Sequence, residues 1–437
     1  MQKSSSFFFV LISLVVISCG LKATKEGTTT NRGTEKPYRV IVSTDIGGTD
    51  PDDFQSMVHL LLYADTIDLE GLISSPFGPG RKEHILQVID AYEKDYPNLK
   101  QWSNRYPAPD ALRKITKQGG VESAPYQGFS ERTEGSDWII ECARRDDPRP
   151  LFVLIWGGIE DLAQALHDAP DILPKLRVYY IGGPNKKWGP DAFQYLADNF
   201  PGLWIIESNA TYRGWFTGGN QSDEWSNTAF PAKYIDGRGA MADFFMTQLG
   251  GTIKMGDTPS LAWLLNSSDP EDPTIPNWGG QYTRAWERPY RIFNRMPESN
   301  DTIAEFTVME LALPLPNQLP SGPEACLKVE NQALPGTISN DGTMRFRFSP
   351  KGAKVFRFEI ESNVPELNGQ TGQVTAVTTP PWLASQPSEK FPNWYTDDPR
   401  MEWREGPHIG AKTVSQWRED YLRDFARRMR RCQPASK

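Results

Sequence analysis

Histidine is scarce: His59, His84, His167 and His408 are the only four in 437 residues. That leaves little room for an imidazole-built zinc centre or a His-relayed nucleophile. No His-Glu-x-x-His, Gly-x-Ser-x-Gly or Gly-x-Gly-x-x-Gly spacing occurs, and Gly78-Pro79-Gly80-Arg81-Lys82 lacks the length of a P-loop. Basic charge is also in deficit, with 47 Lys and Arg against 55 Asp and Glu and a formal net charge of −8. A protein that grips phosphates needs the opposite balance, so nucleic acid is not an expected partner. Of four cysteines none stands in a Cys-x-x-Cys pair, which argues against zinc or dithiol redox chemistry. Cys142, Cys326 and Cys432 permit one disulfide and one free thiol in an oxidising compartment, with the pairing open. Apolar runs of membrane-spanning length are missing too.

The longest apolar run, residues 7–17 after Lys3, is too short to cross a bilayer and suits an export signal. It ends in Val16-Ile17-Ser18-Cys19-Gly20, which resembles the lipobox of bacterial lipoproteins, where the Cys is lipidated. The alternative is an ordinary cleavable signal with an incidental Cys. Residues 1–19 are read as a lipoprotein signal peptide and 20–36 as a flexible Ser/Thr/Gly-rich tether. The expectation is an exported body, lipid-anchored at Cys19 on the periplasmic or cell-surface face of a bacterial membrane. The lipid would be its one membrane contact.

Thirty-six Gly, 36 Pro and 14 Trp indicate a loop-rich protein, and the length allows two or three domains. From residue 38 short β-branched runs alternate with helical patterns. Strands are predicted over 38–45, 67–74, 151–156, 176–181 and 203–207, and helices over 53–64, 81–96, 136–145, 159–168 and 191–199. This alternation predicts an α/β fold with a mostly parallel, doubly wound sheet over residues 37–300. In such sheets ligands bind beyond the C-terminal strand ends. Residues 301–378 switch to period-two alternation punctuated by Asn-Asp-Gly and Pro-Lys-Gly turns, which predicts a small antiparallel, sandwich-like β unit. Residues 379–437 end in a helical stripe through Val414, Trp417, Tyr421 and Phe425, expected to pack back on the α/β body. The Arg-rich end of that helix reads as a solvated, dipole-matched terminus.

The first strand runs into Thr44-Asp45-Ile46-Gly47-Gly48-Thr49-Asp50-Pro51-Asp52-Asp53. Four carboxylates in nine positions repel unless solvated, protonated or bridged by a cation. A solvated turn with Asp52 capping the helix is the bland reading; a hard-cation site, Ca²⁺ or Mg²⁺, is the sharper one.

The stretch TDIGGTDPDDFQSMVHLLLYAD…IDLEGLISS resembles the nucleoside hydrolase-like domain of bacterial proteins often labelled cellulose-binding. DDPRPLFVLIWGGIEDLAQAL, IGGP, NFPGLWIIESNATYRGWF, MGDTPSLAWLL and PNWGGQY agree in order. The resemblance implies a nucleoside hydrolase type of sheet and a Ca²⁺ ion held by Asp45, Asp53 and Asp257. It further implies that Asp45 takes a proton from water and that Asp52, Glu207 and Asn209 hold sugar hydroxyls. Three departures stand out. The acid loop is long, which makes Asp50 a rival ligand; Glu160-Asp161 replaces Thr-Asn; and Gly256 stands where many hydrolases carry a leaving-group His.

Three functions follow as expectations. The leading one is a cation-dependent hydrolase of ribosyl-type or related glycosyl bonds, acting on a small sugar or glycoside. The second is a non-catalytic lipoprotein that binds carbohydrate or polysaccharide, using loop aromatics such as Trp102, Trp188, Trp215, Trp225 and Trp278. The third is a protein-interaction module docking through the β unit. Among other candidates, His84 reads as a solvent-facing helix-start residue, His59 as a satisfied core histidine, and Asp397-Asp398-Pro399 as a turn. Oligomeric state is left open.

Overall fold

The computed structural model describes residues 37–76, 78–287 and 290–434. The signal peptide, Cys19 and the tether lie outside the described residues.

An eight-stranded sheet organises the α/β body. Its strands are β1 (Arg39–Thr44), β2 (Asp68–Ser74), β3 (Thr116–Gln118), β4 (Leu151–Ile155), β5 (Leu176–Ile181), β6 (Ile205–Ser208), β7 (Tyr282–Arg284) and β17 (Trp394–Asp397). The order is β3-β2-β1-β4-β5-β6-β17-β7, parallel throughout except for β7 against β17. Successive strands are added one way from β1 to β3 and the other way from β4 to β6, so the winding reverses between β1 and β4. That switch point opens a crevice at the C-terminal end of β1.

Helices α1 (Asp52–Leu62), α2 (Lys82–Trp102), α3 (Pro109–Lys114), α4 (Glu134–Arg144), α5 (Glu160–Asp168), α6 (Gly182–Trp188) and α7 (Pro190–Asn199) follow the strands. Further along come α8 (Ala229–Tyr234), α9 (Ala240–Thr247), α10 (Thr258–Asn266), α11 (Lys412–Ser415) and α12 (Arg418–Met429). The alternation within β1 explains the two layers. Val40 and Val42 face a core with Met57, Val88, Phe245, Leu261 and Phe425, whereas Ile41 faces one with Ile139, Leu162 and Phe193. A central parallel strand is covered on both faces, so both of its sides are apolar.

The β unit is a sandwich. One sheet has the order β13-β14-β10-β8 and the other β12-β11-β15-β16-β9. The strands are β8 (Arg291–Phe293), β9 (Thr302–Ala304), β10 (Met309–Pro314), β11 (Ala325–Val329), β12 (Gln332–Pro335), β13 (Thr337–Ile338), β14 (Thr343–Phe348), β15 (Val355–Ser362) and β16 (Thr371–Val377). Leu311, Phe346, Phe348, Phe356, Phe358 and Val374 fill the space between them. In sequence the sandwich lies between β7 and β17, neighbours in the main sheet.

A buried ionic knot fastens the sandwich to the body. Glu310 of β10, fully buried, is gripped by Arg345 and Arg347 of β14 and by the hydroxyls of Tyr126 and Tyr290. Arg347 also reaches Asp191 of α7 at 3.0 Å and the Tyr126 carbonyl at 2.7 Å. A carboxylate stripped of water is tolerable only with such a full set of donors.

The C-terminal segment departs from expectation in two ways. The helical stripe is broken at Gln416-Trp417 into α11 and α12. Residues 394–397, part of a stretch without clear period, form β17 and pair with β6 through Trp394↔Ile205 and Thr396↔Glu207. α12 packs on the body: Tyr421 stacks on Trp215 with centroids 3.7 Å apart, and buried Arg418 donates to the Trp215 and Trp225 carbonyls. Two of the arginines expected in solvent, Arg428 and Arg431, hold Asp65 at 2.5 and 3.1 Å. Cys142, Cys326 and Cys432 are free thiols. Among the described residues no helix is long and apolar enough to cross a membrane.

Candidate active site

The acidic loop leaves β1 at the sheet's switch point. Gly47 takes φ +85°, and the Gly48 N–H closes a turn onto the Asp45 carbonyl at 2.9 Å. Only a residue without a Cβ adopts that backbone at no steric cost. The ring of His84 packs where a side chain at 47 would go, and its Nδ1 accepts from the Arg81 N–H at 3.0 Å. His84 therefore buttresses the loop instead of facing solvent. Asp52 and Asp53 then open α1, where the helix dipole favours negative charge.

Tertiary folding brings in Asp257, just before α10. Single carboxylate oxygens of Asp52, Asp53 and Asp257 lie within 4.8 Å of one another, on side chains 5%, 4% and 5% exposed. Thr44 Oγ1 donates to Asp53, the Gly256 N–H to Asp52 Oδ2 at 2.7 Å, and Ser56 Oγ to Asp257 at 3.5 Å. Burial first, then mutual repulsion, pushes Asp53 and Asp257 well above the usual carboxylate range. Burial likewise pushes Asp45 and Asp52 up to about 7. Asp45 is joined to Asp53 by a hydrogen bond.

Such a set fits a hard divalent cation. It offers buried oxygen donors of high charge density, and ionising them together without a bridging cation is costly. Of the residues the sequence nominated for metal, Asp53 and Asp257 come together with Asp52, and Asp45 stands beside them on Asp53. Asp50 lies outside the trio: it is half exposed and paired with Lys254, whose ammonium also reaches Asp52 Oδ1 at 3.3 Å. Lys254 was not legible as a site residue. It sits four residues before Thr258, where α10 begins, and about 200 positions from its partners.

At the end of β6 stand Glu207 and Asn209. Glu207 is fully buried and ion-paired with Lys186 of α6, whose ammonium also donates to the Phe306 carbonyl at 2.7 Å. Asn209 Nδ2 donates to Thr396 Oγ1 at 3.4 Å, whereas its Oδ1 is buried with no hydrogen-bond partner. Asp397, read from sequence as part of a turn, ends β17 instead. Its carboxylate accepts the N–H groups of Asn209, Ala210 and Thr211 at 2.7–3.2 Å and so fixes the loop that carries Asn209. Burial pushes Asp397 up to about 7.

Residues 39–282 match the family model described as cellulose-binding Sde182, nucleoside hydrolase-like domain. The chain belongs to this family. It is similar to a nucleoside hydrolase-related protein from Saccharophagus degradans that is associated with carbohydrate metabolism, at 21% identity and a TM-score of 0.49, over 79% of this chain and 100% of that one. The inosine-uridine preferring nucleoside hydrolase from Bacillus anthracis aligns at 18% identity and a TM-score of 0.33, over 52% of this chain and 81% of that one. A purine-preferring ribonucleoside hydrolase from Gardnerella vaginalis gives 17% and 0.35, over 57% and 85%. No curated protein matches.

Other expectations divide within this nucleoside hydrolase-like domain. Asp161 accepts from Thr133 Oγ1 at 2.5 Å and Gly120 N at 3.1 Å, tying the loop after β3 to α4. Its neighbour Glu160 is buried with Oε2 unpartnered, and burial pushes it up to about 8. His59 is in the core among Tyr63, Trp215 and Phe425, but its Nδ1 has no partner and burial lowers its pKa to about 3. Trp215 and Trp225 are anchors in the core, whereas Trp102 is 53% exposed.

Proposed function

We propose that the protein is an exported hydrolase of N-glycosyl, ribosyl-type or related glycosyl bonds, dependent on a divalent cation and lipid-anchored through Cys19. One observation carries the chemistry: the buried trio Asp52, Asp53 and Asp257 at the C-terminal end of the first strand. These residues would hold the cation, and Ca²⁺ suits an irregular carboxylate cage. A bound cation supplies Lewis-acid chemistry and orients sugar hydroxyls.

The chain's own residues supply the rest. Cleavage of a glycosyl bond builds positive charge on the sugar, which an anionic pocket stabilises. Asp45, hydrogen-bonded to Asp53, is the carboxylate available to hold a proton, which is the general-base role. Asn209, fixed by Asp397, offers its Oδ1 to a hydroxyl. The test is metal analysis of the purified mature protein, with a panel of nucleosides and glycosides assayed for reducing sugar and free base. Stoichiometric divalent metal and turnover abolished by Asp257→Ala are expected. Absence of metal, together with an Asp257→Ala variant that binds ligand as before, defeats the proposal.

A second reading has its own support. Lys254 lies against Asp50 and Asp52, Lys186 neutralises Glu207, and Gly256 carries no acid for a leaving group. These features favour a non-catalytic carbohydrate-binding lipoprotein on a hydrolase-derived scaffold. Retention on a polysaccharide without turnover of any panel member would select it.

A further inference from the structure

A cavity of about 270 Å³ lies where the ends of β6 and β17 meet α7 and the 304–308 segment of the β unit. Its walls include Trp286, Tyr290, Phe306 and Phe391, with Asn209 and Glu305 among the polar groups. Two buried acceptors there are unsatisfied: Asn209 Oδ1, on a side chain 4% exposed, and Glu305 Oε1, on one 9% exposed. Leaving such oxygens dry and unpaired costs on the order of 1–3 kcal/mol each. An apolar packing void would have no such atoms, so the cavity is built to receive donors.

The backbone carries a second sign. Phe306 adopts φ +62°, a left-handed conformation that is strained for an aromatic residue, and Lys186 holds its carbonyl at 2.7 Å. Strain of this kind persists where the surroundings over-determine it, and it clusters at ligand sites. It sets Glu305 and Phe306 against the cavity.

We propose that this cavity binds one unit of a neutral saccharide, with Asn209 and Glu305 accepting from its hydroxyls and the aromatic rings packing on its C–H faces. A hard cation is a poor occupant, because it needs several converging oxygen donors, and among the described residues the acids that gather closely enough to share an ion are Asp52, Asp53 and Asp257, not the carboxylates Asp198, Glu287, Glu305 and Asp397 of these walls. The Asp52, Asp53 and Asp257 trio gathers beyond β1, three strands from β6 in the sheet order, and none of its three residues lines the cavity. The inference rests on the reading of Asn209 as a residue that holds a sugar hydroxyl, and deepens it by adding the β unit's Glu305 and the aromatic walls as a subsite. Glu305, which comes from the β unit, is peculiar to it.

Calorimetric titration of the mature full chain with cellobiose, xylobiose and maltose, in EDTA, tests the idea. Saturable binding of at least one disaccharide is expected, weakened about tenfold by Glu305→Ala and largely kept by Glu305→Gln, which retains an acceptor. Amide hydrogen exchange of the unmutated protein should slow at 304–308 when that sugar is bound, a readout independent of whether a variant folds. No binding of any of the three, or binding without protection of 304–308, overturns the proposal. Failure of the hydrolase reading looks different: it is absence of metal and turnover, which leaves sugar binding in EDTA untouched.

Discussion

The main-chain N–H of Gly256 donates to Asp52 Oδ2 at 2.7 Å, and a Cβ added at 256 would stand 2.6 Å from that same oxygen. Gly256 is thus matched to the Asp52 carboxylate, which approaches too closely for any side chain. Gly256→Ala is expected to displace Asp52 and weaken divalent-cation binding by about tenfold, read by calorimetry with CaCl₂ after EDTA treatment. Gly256→His should be worse and should not restore activity towards nucleosides.

Lys254 supplies an ammonium to the acid loop, pairing with Asp50 and Asp52. Removing it leaves more unbalanced negative charge around the trio. Lys254→Met should lower metal-free stability by about 1–2 kcal/mol and enlarge the rise in melting temperature on adding CaCl₂. Melting curves with and without the cation measure both. An unchanged response to CaCl₂ would count against a cation site at the trio.

Glu310 holds Arg345 and Arg347 in the interface between sandwich and body. Glu310→Gln removes the carboxylate shared by both guanidinium groups, leaving Arg345 with Asp341 and Arg347 with Asp191. A loss of about 3–5 kcal/mol is expected, read by urea unfolding. Limited proteolysis should then cut between β7 and β17 sooner than in the unmutated protein.

Burial pushes the Asp161 carboxyl up to about 6, despite the donors Thr133 and Gly120. The unfolded chain releases that proton near pH 3.8, and the folded chain keeps it until about pH 6. The folded state therefore binds more protons across that window, and stability falls as pH rises through it, by on the order of 2–3 kcal/mol from this group. Asp161→Asn should flatten that part of the stability–pH curve. A slope unchanged by the substitution would refute the assignment.

Much of the fold was written locally. The β-branched run of β1, the amphipathic helices after each strand and the turn-punctuated β segments each carry their own period, and each formed the expected element. The exceptions are instructive. β17 has four residues, too few for a period to declare itself, and is held by β6 and β7 on its two sides. The break at Gln416-Trp417 gives way to packing, with Trp417 partly buried at the start of α12.

The candidate site divides along the same line. Asp45, Asp52 and Asp53 adjoin in sequence, and their excess of like charge at a strand end is visible without a structure. Asp257 was found through resemblance. The sequence alone determined which carboxylates had to be reconciled with one another. Tertiary structure decided what they meet: Lys254 at Asp52, Lys186 at Glu207, Asp397 under Asn209, and Glu305 across a cavity from it. These partners are separated by about 20 to 200 positions, so no local period or motif encodes them. Only the packing of sheet, helices and sandwich fixes which buried charges are neutralised and which oxygens are left for a ligand.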